Sequence, residues 1–84
     1  MKEELNNSRH DEYLDCTGLY CPVPVFETGK KINSMRNGQI LKLIADDPAS
    51  EEDIKAWAKT TGNKLIKVTK DNDNFIFYIR KMHK

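Results

Sequence analysis

The sequence predicts an α+β protein, a two-layer α/β sandwich in which two helices lie on one face of a mixed four-stranded sheet. Four short segments are rich in β-branched and aromatic residues or alternate between apolar and polar residues, as strands do. Between them, two longer segments repeat their apolar residues at the three-and-four spacing of a helix that packs on one face. The order along the chain is therefore βαβαββ, and both strand-helix-strand connections place their helix on the same face.

The first strand and the first helix lie on either side of a short loop. Residues 13–16 alternate so that Leu14 and Cys16 share one face, which we expect to be buried. A helix is expected from Pro22 to about Arg36, because Pro22 suits the first helical position, where its missing N–H loses no hydrogen bond. The inner stripe of this helix consists of Val25, Gly29, Ile32 and Met35, with Phe26 alongside, and Asn37 and Gly38 close it.

The second half of the chain continues the pattern. Residues 39–45 are nearly continuously apolar, which is typical of a central strand. Ser50 with Asp53 resembles a capping box and is expected to begin the second helix. The inner stripe of that helix is Ile54, Trp57, Ala58 and Thr61, and Gly62 and Asn63 end it. Residues 64–70 and 75–80 form a hairpin around the polar residues 71–74, so the last strand runs antiparallel to the one before it.

Length and composition limit the classes of function. The chain of 84 residues is expected to form one domain at residues 12–82, after a disordered N-terminal tail at residues 1–11. Fourteen basic and thirteen acidic residues leave a net charge of +1, so nucleic-acid binding is not expected. No apolar run approaches the roughly 20 residues that span a bilayer, and the N-terminus lacks the apolar core of a signal peptide. We therefore expect a cytoplasmic protein that does not contact membranes.

The chain has two cysteines, too few for the disulfide scaffold of a small secreted domain. Cys21 lies between the first strand and the first helix, where the positive end of the helix dipole lowers the pKa of a thiol. Pro22 and Pro24 remove N–H groups from this anion site, so we expect moderate activation at most, and Asp15 would oppose it if close. The prolines are better understood as stiffeners that hold Cys21 on a raised corner. Alternatively, Cys21 is a small apolar residue that fills space.

The other candidate site residues favour structural roles. Cys16 is expected in the core from its register with Leu14, although a role as a second thiol or a disulfide with Cys21 stays open. The cysteine spacing and the terminal positions of the histidines do not predict a metal site, and no cofactor-binding motif is present. Asp46 and Asp47, adjacent carboxylates at the end of a strand, could act in acid–base chemistry, but Asp47 before Pro48 favours a role in a turn or cap. Trp57, Phe75 and Phe77 are expected in the core, and Lys30, Lys31, Arg80, Lys81 and Lys84 are expected to be solvated, with a docking patch for an acidic partner as the alternative.

The segment LDCTGLYCPVPV at residues 14–25 resembles the signature of the TusA/SirA-like sulfur-carrier family, in which Asp, Gly and Cys-Pro-x-Pro recur at this spacing. The matching residues are Asp15, Gly18, Cys21, Pro22 and Pro24. A second stretch, ADDPA at residues 45–49 followed by DI and a tryptophan, is similar to another family motif and includes Asp46. The resemblance extends from about residue 13 to residue 81.

The resemblance implies a sulfur-carrier protein that accepts sulfane sulfur as a persulfide on Cys21. The donor would be a cysteine desulfurase or a rhodanese-like protein, and an acceptor protein would take the sulfur onward for tRNA thiolation, molybdenum-cofactor supply or sulfur oxidation. It implies a monomeric, sulfurtransferase-like carrier without a cofactor, rather than a stand-alone enzyme. A participating Cys16 would be an addition to this mechanism.

Two other functions compete with the carrier hypothesis. A regulatory or protein-docking module without sulfur chemistry would fit the absence of a base obviously paired with Cys21 and the open face of the predicted sheet. RNA binding through that face rests on the similarity of the fold to the C-terminal domain of a translation initiation factor, and the near-zero net charge counts against it.

Overall fold

The computed structural model describes residues 10–82, which form two helices and one four-stranded sheet. The strands are β1 (Glu12–Cys16), β2 (Ile40–Ala45), β3 (Lys64–Asp71) and β4 (Asn74–Arg80), and the helices are α1 (Val23–Asn33) and α2 (Ser50–Thr61). The strand order is β1-β2-β4-β3, in which β1 and β2 are parallel and the other two pairs are antiparallel. This topology confirms the predicted βαβαββ sandwich with a mixed sheet.

The core lies between the inner face of the sheet and the two helices. Alternation along β2 places Leu41, Leu43 and Ala45 on the buried face of the sheet. Leu43 pairs with Phe77 of the neighbouring strand β4, and both side chains are fully buried. Trp57 and Phe75 are partly buried and pack against this cluster. Among the residues predicted in the core, Cys16, Ile32, Met35, Ile54, Ala58 and Phe77 are buried. The full cluster of buried residues is Cys16, Ile32, Met35, Leu41, Leu43, Ala45, Ile54, Phe77 and Ile79.

Helix α1 is shorter than predicted and ends at Asn33. The N–H and the hydroxyl of Ser34 both donate to the carbonyl of Lys31, at 3.0 and 2.7 Å, which closes the last turn early. Lys81 Nζ then donates to the carbonyl of Met35 at 2.8 Å and holds the chain as it leaves the helix. Gly38, expected to close the helix, instead adopts a φ of +90° in the turn that leads into β2.

The inner stripe of α1 also differs from the predicted one. Phe26 is 63% exposed, and Thr28 takes a fully buried position instead. The Thr28 hydroxyl donates to the carbonyl of Pro24 at 2.7 Å, so its polar group is satisfied inside the helix. A threonine whose hydroxyl donates to the preceding turn can therefore be buried in the core. The hydrophobic pattern instead favours the phenylalanine two positions earlier, which is exposed.

The predicted capping box at the start of α2 is wrong. Ala49 is the N-cap residue, and the Ser50 hydroxyl is buried without a hydrogen-bond partner among the described residues. The turn before the helix is made by Asp47, whose carbonyl accepts from the N–H of Ser50 at 2.9 Å. Asp53 therefore has no capping role, and it lines a cleft together with Cys21, which lies in the loop before α1. The predicted end is confirmed, because Gly62 adopts a φ of +82° and its N–H donates to the carbonyl of Ala58.

The β3–β4 hairpin is confirmed with a tighter turn than the predicted residues 71–74. Asp71 and Asn74 are paired across the strands, which leaves a two-residue turn. Asn72 in this turn has a φ of +58°, a left-handed conformation that asparagine tolerates better than most residues.

The outer face of the sheet carries a row of four residues, one from each strand: Tyr13, Lys42, Tyr78 and Lys67. Lys67 Nζ lies 5.5 Å from the centroid of the Tyr78 ring, and Tyr78 is buried although no helix covers this face. Tyr13 remains about half exposed. Long polar side chains therefore shield most of the aromatic surface of the face that was predicted to be open.

The ends of the chain fall partly outside the described residues. The predicted tail at residues 1–11 lies outside them except for His10 and Asp11, and Lys84 and His83 also lie outside. The Asp11 N–H donates to the carbonyl of Ile40 at 2.8 Å, and Asp11 Oδ2 accepts from the N–H of Ile40 at 2.9 Å. Backbone hydrogen bonds to the sheet thus begin one residue before the predicted domain boundary, and the His10 ring packs near Tyr78 of β4 at a centroid distance of 6.5 Å. Within residues 10–82, neither helix has the length and apolar character that a bilayer crossing requires.

The basic residues considered as a docking patch are mostly engaged within the protein. Lys31 pairs with Glu12 at 3.1 Å, and Lys30 lies 3.8 Å from Glu27. Lys81 donates to backbone carbonyls that follow α1. These contacts favour the prediction of individual solvated charges over a patch for an acidic partner.

Candidate functional site

The loop between β1 and α1 is held by two aspartates at one edge of the sheet. Asp15 Oδ1 accepts from the N–H and the hydroxyl of Thr17, at 2.9 and 2.7 Å, and these bonds lower the pKa of Asp15. Gly18 adopts a φ of +83°, and its N–H donates to Asp46 Oδ1 at 3.0 Å. Because β1 and β2 are parallel, their carboxyl ends meet at this edge, and the loops that follow them support each other.

Cys21 lies on an exposed turn immediately before α1. The turn is closed by a 2.8 Å hydrogen bond from the N–H of Val23 to the carbonyl of Tyr20, and the peptide bond between Cys21 and Pro22 is cis. The Cys21 N–H donates to Asp47 Oδ2 at 2.7 Å. Asp47 is only 9% exposed, so a buried carboxylate fixes the backbone while the thiol faces solvent. This exposed position favours the raised corner over the alternative in which Cys21 fills space in the core.

The two prolines hold this corner from the helix side. Pro22 is the N-cap of α1 rather than its first helical residue, and its carbonyl accepts from the N–H groups of Val25 and Phe26 at 3.1 and 3.2 Å. Pro24 is fully buried and anchors the first turn of α1 in the core. A restricted backbone on one side and a buried anchor on the other limit the positions that the Cys21 thiol can take.

Two carboxylates oppose ionisation of the Cys21 thiol. The thiol donates a hydrogen bond to the Asp53 side chain, and this bond, with some desolvation and the negative charges of Asp53 and Asp47, raises the pKa of Cys21. The pKa of Cys21 is therefore raised, where the position before α1 predicts moderate lowering at most, and the cause is the two carboxylates, which local sequence did not indicate. Asp15, the residue expected to oppose ionisation, is bonded to Thr17 instead.

Cys16 is separated from this site by its burial. It has no exposed surface, and burial, with smaller contributions from Glu27 and Asp15, raises its pKa to about 11. Both cysteines are free thiols, so the structure contains no disulfide between Cys16 and Cys21. Cys16 packs in the core, as its strand register predicts.

A family profile described as "Sulfurtransferase TusA" matches residues 12–81, nearly all of the chain that the structure describes. The chain belongs to the TusA family. Its relatives include the sulfur carrier protein TusA of Allochromatium vinosum, which is 44% identical over 71 residues that cover 84% of this chain and 93% of that protein. The TusA protein of Pseudomonas syringae is 35% identical over 81 residues, with 96% of each chain covered.

TusA-like sequence also occurs within a longer protein, and the fold occurs in a solved structure. A protein of Aquifex aeolicus, named as a candidate sulfur carrier, is 46% identical over 77 residues, which cover 92% of this chain but 39% of that protein. The crystal structure of a SirA-like protein from Desulfitobacterium hafniense matches with a TM-score of 0.76 and covers 87% of this chain and all of that one. Its sequence identity of 21% shows that the two chains share a fold.

Among the residues of this TusA-family site, Asp47 and Asp53 are the two whose contacts with Cys21 sequence reasoning missed. Asp47 was interpreted as a turn residue and Asp53 as a capping residue, each from its immediate neighbours. A signal for Asp47 was present, because two successive parallel strands bring the loops that follow them to one edge of a sheet. Asp53 had no comparable signal, since its direction depends on where α2 begins.

The raised pKa of Cys21 has a measurable consequence. Iodoacetamide is expected to alkylate Cys21 in the folded protein more slowly at neutral pH than it alkylates a peptide of residues 18–24, because a smaller fraction is thiolate. The alkylation rate should rise with pH and reach its midpoint at a higher pH than the peptide does. Peptide mapping of the alkylated protein, sampled over time, separates Cys21 from Cys16. A midpoint at or below that of the peptide would contradict the effect of the carboxylates.

Proposed function

We propose that this protein carries sulfur as a persulfide on Cys21, between a donor protein and an acceptor protein. The observation that carries the proposal is the exposed thiol of Cys21 on a turn whose backbone is fixed by the buried carboxylate of Asp47. The relatives named sulfur carrier proteins, which match over most of the chain, support the same role. A carrier needs such a thiol, because both partners have to reach the sulfur directly.

The chemistry requires no cofactor. The thiolate of Cys21 attacks the terminal sulfur of a donor persulfide, the sulfur–sulfur bond of the donor breaks, and the donor thiolate leaves with the electron pair. The departing thiolate takes up the proton that the Cys21 thiol lost on ionising, so the products are a donor thiol and a persulfide on Cys21, with no net oxidation or reduction. The second transfer is the same reaction with the acceptor as nucleophile. The exposed corner suits both steps, since attack needs an approach in line with the sulfur–sulfur bond.

We assign the donor to the cysteine desulfurases or the rhodanese-like proteins, both of which form persulfides on a cysteine. The protein acts as a monomer in the cytoplasm, where two free thiols persist because the compartment is reducing. It is a carrier that accepts or donates one sulfur atom each time a partner docks, rather than a stand-alone enzyme.

Persulfide formation can be tested directly by mass spectrometry. The protein is incubated with a cysteine desulfurase and cysteine, or with thiosulfate and a rhodanese-type sulfurtransferase. The expected result is a mass gain of one sulfur atom that dithiothreitol removes and that maps to the peptide containing Cys21. A docking module without sulfur chemistry would bind its partners and gain no sulfur, and this outcome would overturn the proposal.

A further inference from the structure

A shallow cleft between α1 and α2 begins at Cys21. Its volume is about 350 Å³. Val25, Ala56 and Trp57 give it mostly apolar walls, and Asp53 places a carboxylate at the end where the thiol lies. The cleft and the thiol are therefore one continuous surface, and a partner that reaches the sulfur across this cleft contacts Asp53.

The charges around this cleft are unbalanced. Asp53 on α2 and Asp47 in the loop before it are the titratable groups that act on the Cys21 thiol, and both are acidic. Of the four lysines of the two helices, Lys30, Lys31 and Lys55 pair with glutamates, the last with Glu51 at 3.1 Å. The fourth, Lys59 of α2, does not line the cleft. Asp53 lines the cleft beside Cys21 and forms no ion pair among the described residues, so no cation of this part of the chain compensates its charge.

Exposed apolar residues surround the same corner. Six large hydrophobic residues are exposed in the described part of the chain, and three of them lie within five positions of Cys21: Tyr20 at 71%, Val23 at 39% and Phe26 at 63%. Apolar exposure next to a reacting thiol is typical of a surface that a partner covers. The surface thus combines an apolar rim with one uncompensated carboxylate inside the cleft.

We propose that the cleft between α1 and α2 receives an arginine or lysine side chain of the sulfur-transfer partner, which pairs with Asp53 and releases the Cys21 thiol from it. The inference rests on the proposed function for the identity of the partner. The cation offsets the carboxylate charge, so that Cys21 ionises and attacks when a partner is docked. Cys21–SH and donor R–S–SH then give Cys21–S–SH and R–SH, with the proton of the Cys21 thiol passing to the departing thiolate. Asp53 acts through the charge state of Cys21 and is a positioning residue.

Disulfides of different charge test this inference without any sulfur carrier chemistry. Cystamine carries two ammonium groups, dithiodipropionate carries two carboxylates, and hydroxyethyl disulfide is neutral. Each reacts with Cys21–SH to give one mixed disulfide and one free thiol, and the second-order rate constants follow from intact mass at neutral pH. We expect wild type to prefer cystamine, and Asp53→Asn to lower the ratio of the cystamine rate to the dithiodipropionate rate by at least about fivefold, as loss of a unit charge a few ångströms away predicts.

A matched variant separates the cleft from the general acidity of α2. Glu52→Gln removes the same charge from the neighbouring position, but Glu52 is exposed and does not line the cleft, so the ratio should change by less than about twofold in salt of physiological strength. Asp53→Glu should restore the preference for cystamine. The rate with hydroxyethyl disulfide should rise in Asp53→Asn, because removal of the carboxylate lowers the pKa of Cys21, and this rise shows that the site is intact.

The outcomes distinguish this inference from the proposed function. An unchanged ratio in Asp53→Asn, or an equal fall in Glu52→Gln, would overturn the cation-receiving cleft even if persulfide forms on Cys21. Failure of persulfide formation with the charge preference intact would instead overturn the carrier function, and with it the partner named here. A preference that depends on Asp53, together with persulfide formation, supports both.

Discussion

Replacing Cys21 with alanine is expected to reduce persulfide loading to the background of a reaction without protein. The persulfide is a bond to the Cys21 sulfur, and alanine has no atom that can accept the transferred sulfur. Cys16 cannot substitute, because it is fully buried and its pKa is raised to about 11, which leaves almost no thiolate at neutral pH. The measurement is the mass gain of one sulfur atom after incubation with a desulfurase and cysteine.

The two cysteines offer a matched pair of variants for this experiment. Cys16→Ala is expected to load as wild type does, but to lose about 1 kcal/mol or more of stability because it leaves a small cavity in the core. The free energy of unfolding of Cys21→Ala should differ from that of wild type by no more than about 0.5 kcal/mol, because the Cys21 side chain is exposed. Equal loading in wild type and Cys21→Ala would refute the carrier function at this residue, and loss of loading in a folded Cys16→Ala would show that a second thiol participates.

Replacing Phe77 with alanine is expected to have the largest effect on stability, a loss of about 3–5 kcal/mol in the free energy of unfolding. Phe77 is fully buried, lies on the strand between β2 and β3, and pairs with Leu43 on one side and Val68 on the other. The free energy of unfolding of a small domain is about 5–15 kcal/mol, and that of a chain of 84 residues is expected near the lower limit. The variant should therefore be partly unfolded at ambient temperature, which urea titration followed by circular dichroism would measure.

Phe26 provides the control for this substitution. The same change from phenylalanine to alanine at a residue that is 63% exposed should alter the free energy of unfolding by no more than about 0.5 kcal/mol. The comparison also checks the position at which the apolar pattern of α1 was misleading. A large loss in Phe26→Ala with a small one in Phe77→Ala would mean that the register of α1 or of β4 differs from the structure.

The site combines an exposed thiol with carboxylates that raise its pKa, so that a smaller fraction of it is thiolate at neutral pH. Burial of a cysteine would protect it from oxidation but would also prevent transfer, since a partner must reach the sulfur. Holding an exposed thiol against Asp53 lowers its reactivity while leaving the surface open to a partner. The slow alkylation of Cys21 and the charge preference among disulfides measure the two parts of this arrangement separately.

Much of the fold follows from local properties of the sequence. Apolar alternation in the first strand assigns Cys16 to the core, and the aromatic character of the last strand assigns Phe77 to it. Glycine and asparagine tolerate the left-handed conformation better than other residues, so Gly62 at the end of α2 and Asn72 in the hairpin turn are indicated by residue type alone. These features depend on a few neighbouring residues, so a linear pattern contains them.

The state of the Cys21 thiol depends on contacts between residues that are distant in the chain. Asp47 bonds to the Cys21 amide across 26 positions, and Asp53 reaches the thiol because α2 begins at Ser50 without a capping box. A cysteine before a helix predicts activation by the dipole, but two carboxylates from another loop and helix reverse the sign. The sequence by itself predicts Cys21 as the reacting residue and predicts its place on an exposed corner, which the structure confirms. The packing of α2 beside α1 determines when it reacts, because electrostatic effects depend on distances in space that spacing along a chain does not contain.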